Sequence, residues 1–153
     1  MEQVTLELID IWHFGLSICL ADKSSDASLE DVAKNIASQL TLDGERPDFR
    51  LSLEAFTAST LQSKSFNVSE FANLMLATGL SFEQLYRSYV GKNVLNFFRQ
   101  DHGYKDGTYR KLWSGKEDNE HLVEVLSELD STQQDFKQAL YDSLKERYET
   151  VDV

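Results

Sequence analysis

Gln3-Val4-Thr5-Leu6-Glu7-Leu8-Ile9-Asp10-Ile11-Trp12-His13-Phe14-Gly15-Leu16-Ser17-Ile18-Cys19-Leu20 is the stretch whose reading decides the fold. Val4, Leu6, Leu8, Ile9, Ile11, Trp12, Phe14, Leu16, Ile18, Cys19 and Leu20 make it apolar nearly all the way round, and a helix of that kind is expected to be buried. Its polar interruptions, Gln3, Glu7, Asp10, His13 and Ser17, recur at steps of three and four. At about 100° per residue they fall within a wedge of roughly 120°, so two carboxylates and an imidazole project along one line. Acids one turn apart repel, and burying them without a partner is costly, so something positive is expected against the stripe. Mg²⁺ is one candidate, because it takes oxygen ligands and leaves its remaining sites to waters and phosphates. A stripe that faces solvent, or pairs with Lys and Arg of a neighbouring helix, is the other.

Outward from this segment the pattern stays helical. A single proline, Pro47, and few strand-like alternations leave little room for a sheet. The sequence predicts an all-α bundle of six to seven helices in one domain over residues 1–153. The helices are expected at about 2–21, 28–41, 48–63, 68–78, 82–101, 118–128 and 132–148. Their breaks have recognisable chemistry. Ser24-Ser25-Asp26 is a polar loop, Ser28 offers an N-cap with Asp31 three positions on, and Leu42 to Pro47 is a Gly and Pro turn. Gly79 stops the fourth helix, and Ser81-Phe82-Glu83-Gln84 reads as a capping box for the fifth. The longest irregular stretch, His102 to Asp118, carries three glycines; loops of that length inside compact domains are usually functional or disordered. The seventh segment, with Phe136, Leu140 and Leu144, is an amphipathic packing or interface element.

Charge and composition remove several classes. The 153 residues carry 26 acidic and 15 basic side chains, a formal net charge of −11. A chain that acidic is a poor nonspecific nucleic-acid binder. One cysteine cannot form an intramolecular disulfide, which favours a reducing, cytoplasmic setting. No apolar run approaching bilayer length and no basic leader are read from the sequence, so neither a membrane nor a signal peptide is expected. The charge is uneven, however. Lys92, Arg99, Lys105, Arg110, Lys111 and Lys116 stand against Asp101 and Asp106, a local +4 within a remainder of −15. An island of that size suits a compact anion and is too small for a nucleic-acid track.

The island contains a second constellation. Lys92, Asn96 and Arg99 at i, i+4 and i+7 stack an ammonium, an amide and a guanidinium on one helix face, groups suited to phosphoryl oxygens. The loop Gly103-Tyr104-Lys105-Asp106-Gly107-Thr108-Tyr109-Arg110-Lys111 follows; its glycines permit close backbone approach, and its Tyr and Lys side chains can cover a sugar and a phosphate tail. It lacks the P-loop pattern. Glu117-Asp118-Asn119 then opens a helix, either as a plain cap or as a polar ligand site. Cys19 is expected to be a small packing residue, Trp12 and Trp113 packing residues, and His102 and His121 lack zinc-ligand spacing.

Glu7-Leu8-Ile9-Asp10-Ile11-Trp12-His13-Phe14 resembles the second metal-binding motif of the dimeric, all-α dUTPases, relatives of the MazG-type nucleotide pyrophosphatases. Lys92-Asn93-x-Leu95-Asn96-x-x-Arg99, Gly103-Tyr104-Lys105-x-Gly107-x-Tyr109-x-Lys111 and Glu117-Asp118-Asn119 resemble that family's phosphate and deoxyribose motifs in order and spacing. The resemblance implies Mg²⁺-dependent hydrolysis of dUTP to dUMP and pyrophosphate by a homodimer, with dUTP, dUDP or a related deoxynucleotide as ligand. It implies Glu7 and Asp10 as metal ligands and His13 and Phe14 near the base. It puts Lys92, Asn96, Arg99 and Lys111 on the phosphates, Tyr104 on the deoxyribose, Lys105 and Tyr109 along the same substrate, and Asn119 near the sugar or phosphates. The family's first motif, a pair of glutamates with a Trp-Lys segment, would precede Glu7 by some 20 to 30 residues. The chain is therefore expected to be the C-terminal portion of a longer protein, to turn over dUTP poorly alone, and to lack the glutamate that activates the water. A pyrophosphatase of another base preference and a catalytically silent nucleotide-binding or dimerisation module are the alternatives.

Overall fold

In a computed structural model, which describes residues 2–22 and 26–150, the order is α1 (Glu2–Ala21), α2 (Leu29–Gln39), α3 (Phe49–Ser63), α4 (Val68–Thr78), α5 (Phe82–Asp101), β1 (Leu112–Trp113), β2 (Lys116–Glu117), α6 (Asp118–Glu128) and α7 (Phe136–Glu149). The expected all-α architecture stands. The predicted loop residues Ser24 and Ser25 lie outside the described residues, as does the side chain of Gln3. Local chemistry sets most boundaries. The Ser28 hydroxyl accepts from the Asp31 amide at 3.1 Å while the Asp31 carboxylate accepts from the Ser28 amide at 3.0 Å, closing a capping box. Ser81 and Gln84 close the same reciprocal pair ahead of α5 at 3.1 and 3.0 Å. Asp48 and Asn67 cap α3 and α4.

α7 starts four residues later than the sequence suggested. The Asp130 carboxylate accepts from both the amide and the hydroxyl of Thr132, at 2.9 and 2.7 Å, and a Gln133-to-Asp130 backbone bond follows. A side chain that bonds the nearby backbone this way competes with the helix, so residues 130–135 turn before α7 begins. The small hairpin was not anticipated. Ser114 and Gly115 both have positive φ, 48° and 80°, the conformation of a tight two-residue hairpin turn, and Leu112 and Trp113 pair with Glu117 and Lys116.

The chain forms two compact units, residues 1–85 and 86–153. In the first, Leu8, Ile9 and Trp12 of α1 are buried together with Phe56 of α3 and Phe71, Leu74 and Met75 of α4. Trp12 stacks on Phe71 with ring centroids 5.4 Å apart, and Phe66 closes the aromatic group against both. Arg46, in the Gly and Pro turn, donates from Nε to the Ala77 carbonyl at 2.7 Å and ties that turn to the end of α4. In the second unit, Val94, Leu95 and Phe98 of α5, Trp113 of β1, Leu122 and Val125 of α6, and Leu140 and Leu144 of α7 share one core. Trp12 and Trp113 are thus packing residues, as expected.

α1 departs from its reading in two respects. It is not buried all round, because Leu6, Phe14 and Leu20 are exposed, Phe14 by 69%. An apolar composition fixes only a preference for burial; whether neighbours cover each side depends on how many helices pack there. Val4–Ala21 also has a mean hydropathy of 1.5 and only two charged residues, so by length and composition α1 is apolar enough to cross a bilayer, contrary to the sequence reading.

Candidate functional site

α1 carries the acidic pair of the first unit. Glu7 and Asp10 are exposed, Ser17 is exposed one helical repeat further on and donates to the His13 carbonyl at 3.0 Å, and His13 is half-buried beside the exposed Phe14 ring. Glu7, Asp10 and Ser17 thus face outward, an exposure compatible with both readings of the stripe. Oxygen donors one turn apart suit a hard cation such as Mg²⁺, which commonly uses one or two carboxylates and completes its shell with waters and substrate phosphates. Among the described residues no group of three or more His, Cys, Asp or Glu side chains is gathered in a metal-holding arrangement. Cys19, further along α1, has its thiol pKa pushed up, first by burial and then by the charge of Asp22, which keeps it protonated and unreactive near neutrality.

The second unit gathers the basic constellation more tightly. Arg99 lies at the C-terminal turn of α5, where helix geometry places it on the same face as Asn96 and Lys92. Its Nε and Nη2 donate to the two oxygens of Asp118, each at 2.8 Å, in a fork-to-fork pair. Nη1 approaches Asn96 Oδ1 at 3.4 Å. The Tyr109 hydroxyl donates to Asp118 Oδ2 at 2.9 Å. Asp118 is completely buried, whereas the Arg99 side chain keeps 19% of its surface. Burial alone would raise the Asp118 pKa, but the bonds from Arg99 and Tyr109 and the guanidinium charge outweigh it and hold the carboxyl below the usual range. The Tyr109 phenol is driven upward, by burial and then by its bond to the carboxylate, so it remains a neutral donor.

The loop between α5 and α6 is built around this anchor. The Asp118 amide donates to the Lys111 carbonyl at 3.0 Å, which brings the end of the loop onto the first turn of α6. Trp113, fully buried, donates from its indole to the Arg110 carbonyl at 2.6 Å and stacks on His121, whose Nε2 meets the Trp113 carbonyl at 2.9 Å. Tyr148 of α7 lies flat against Tyr109 at 5.6 Å, with its hydroxyl on the Arg110 amide and the Arg110 guanidinium 4.6 Å above its ring. Tyr104, Lys105, Lys111 and Asn119 are exposed; Lys111 lies 3.7 Å from Glu117. His102 bonds the Phe98 carbonyl through Nδ1 and stacks on the Phe98 ring.

Of the expected ligand-contacting residues, the structure brings Asn96, Arg99 and Tyr109 together and places Lys92 on the same α5 face. Glu7, Asp10, His13 and Phe14 share α1. Sequence reasoning treated Asp118 as part of a helix opening and missed it as the common partner of Arg99 and Tyr109. The signal was there only as an acid at the first position of a helix, a placement favoured by the helix dipole whatever else the residue does.

A family model described as dUTPase matches residues 1–104, about two thirds of the chain. The match takes in α1 with its acidic pair and α5 with Lys92, Asn96 and Arg99, and ends at Tyr104 in the loop. No curated protein matches the chain.

Proposed function

The chain belongs to the dUTPase family, of the all-α type, and from that premise we propose that it binds dUTP and hydrolyses it to dUMP and pyrophosphate with Mg²⁺. Family membership implies a deoxynucleotide substrate. The observation that carries the finer reading is the ordered face of α5, where Lys92, Asn96 and Arg99 stand in register and Arg99 is fixed by a buried carboxylate. In the proposal, Lys92, Asn96, Arg99 and Lys111 hold phosphoryl oxygens, Tyr104 packs on the sugar, Lys105 lies along the phosphates, and Asn119 orients the nucleotide. His13 and Phe14 take the base side. Glu7 and Asp10 would hold Mg²⁺, which when bound lowers the pKa of a ligated water and withdraws charge from the phosphates.

A second reading is nucleotide binding without turnover, for which the ordered face of α5 would suffice by itself. One assay separates the two: pyrophosphate release from dUTP, dCTP and dTTP with Mg²⁺ and with excess chelator. Metal-dependent release that prefers dUTP supports the hydrolase. Binding of dUTP or dUMP without release supports the silent module, and the absence of both removes the nucleotide reading altogether. In a hydrolase, Asp10→Asn is expected to lower turnover by orders of magnitude with the helical circular dichroism unchanged. Near-normal turnover would make Asp10 a structural carboxylate.

A further inference from the structure

We propose that Asp118 is a positioning residue: it grips one edge of the Arg99 guanidinium and thereby presents the other edge, beside Asn96, to the phosphoryl oxygens of the nucleotide. This rests on the dUTP reading and adds a residue that the reading does not require.

Asp118 cannot itself touch a ligand in this arrangement. Its side chain has no exposed surface, Oδ1 accepts from Arg99 Nη2, and Oδ2 accepts from both Arg99 Nε and the Tyr109 hydroxyl. Whatever its side chain contributes passes through those two partners and the Asn119 amide, which also bonds the carboxylate. Arg99 has five N–H donors in a rigid fork. Nε and one Nη2 hydrogen are engaged by Asp118, which leaves the second Nη2 hydrogen and Nη1 on the other edge, where Nη1 donates to Asn96 Oδ1 in a long bond of 3.4 Å. That edge lies on the side of Asn96, whose own side chain is exposed. A guanidinium held in this way loses little rotamer freedom when a phosphate arrives, and its direction is set beforehand.

Asp118 also joins three segments. Arg99 reaches it from α5, Tyr109 from the loop, and its own amide bonds Lys111 at the loop's end. Tyr109 therefore acts by steadying the carboxylate, with its hydroxyl already engaged there, and Tyr148 backs the Tyr109 ring. The arrangement is one of geometry and not of net charge, because the Arg99 charge is balanced by Asp118. A purely structural ion pair would hold α5 to α6 without regard to what lies on Asn96's side. A positioning pair makes one part of one ligand, the phosphate chain, sensitive to its loss.

The test is calorimetric binding of deoxyuridine, dUMP and α,β-imido-dUTP at fixed Mg²⁺ to the full chain and to Asp118→Asn, Arg99→Lys and the double variant. Asp118→Asn is expected to weaken α,β-imido-dUTP by about 10- to 100-fold, by analogy with the loss caused when the supporting partner of a metal ligand is removed. Deoxyuridine should stay within about twofold, and the double variant should bind no more weakly than Arg99→Lys alone, since the proposal routes the effect of Asp118 on the phosphates through Arg99. Equal losses for all three ligands, additive losses in the double variant, or unchanged α,β-imido-dUTP affinity would each overturn the proposal. If Asp118→Asn fails to fold, Tyr109→Phe replaces it, because it removes one donor to the carboxylate and leaves the charges in place. Its loss should be confined to phosphate-bearing ligands and vanish in the Arg99→Lys background; a loss shared with deoxyuridine, or one that persists in that background, overturns the assignment. Failure of the unaltered chain to bind any of the three ligands overturns the dUTP reading itself, an outcome distinct from normal binding that ignores Asp118.

Discussion

Asp118 shows what a single residue gains from tertiary context. In sequence it is an acid at a helix start; in the fold it receives two bonds from a guanidinium 19 residues earlier and one from a phenol nine residues earlier. The pH consequence has a definite sign. The folded carboxyl titrates below its unfolded value of about 3.9, so its stabilisation is complete above about pH 4 and is lost as pH falls through the folded pKa. Asp118→Asn should therefore melt below the unaltered chain at pH 7, with the gap in melting temperature narrowing as pH drops from about 4 toward 2. Thermal melts followed by circular dichroism measure this, and a gap that is the same at both ends would show that the carboxylate charge contributes nothing. Residue types at Lys92, Asn96 and Arg99 were legible because helix periodicity is local. Their partner was not, because pairing across a loop depends on where the loop returns.

Elements were legible where the signal lies within four residues. The boxes at Ser28 and Ser81 and the stop at Gly79 place α2, α5 and the end of α4 without reference to packing. The start of α7 and the β1–β2 hairpin were missed because an Asp side chain and a two-residue turn of positive φ won locally against helical periodicity. Within α1, Gly15 is explained only by its neighbour. A Cβ there would lie 2.6 Å from three ring atoms of Phe66, and that ring is itself wedged among Trp12, Phe56 and Phe71. Alanine ordinarily favours a helix over glycine, yet Gly15→Ala should destabilise the protein by about 1–3 kcal/mol through overpacking. Urea denaturation monitored by tryptophan fluorescence checks the sign; a more stable variant would mean that the Phe66 ring swings away freely.

Across the whole molecule the charge distribution changes meaning once the chain is folded. The +4 island was counted along the sequence, but Arg99 is paired with Asp118, Lys111 with Glu117 and Lys116 with Glu124, all acids just beyond that window. These three basic residues of the island are thus partly neutralised in space. Attraction for a triphosphate should be correspondingly modest: raising salt from about 0.05 to 0.5 M should weaken α,β-imido-dUTP by no more than about tenfold and leave deoxyuridine nearly unchanged. Titrations at the two ionic strengths test this, and a far steeper loss would mean that those ion pairs give way to the ligand. The sequence by itself determined the helical class, most helix ends, and the two sets of residues, acidic on α1 and basic on α5 and its loop, because periodicity and capping act over a few residues. Only the tertiary structure decided that α1 keeps an open apolar side, that Trp113 and Tyr148 brace the loop, and that Arg99 and Tyr109 answer to a buried Asp118. Burial and charge pairing belong to neighbours in space, and those neighbours are chosen by packing over distances that no local pattern encodes.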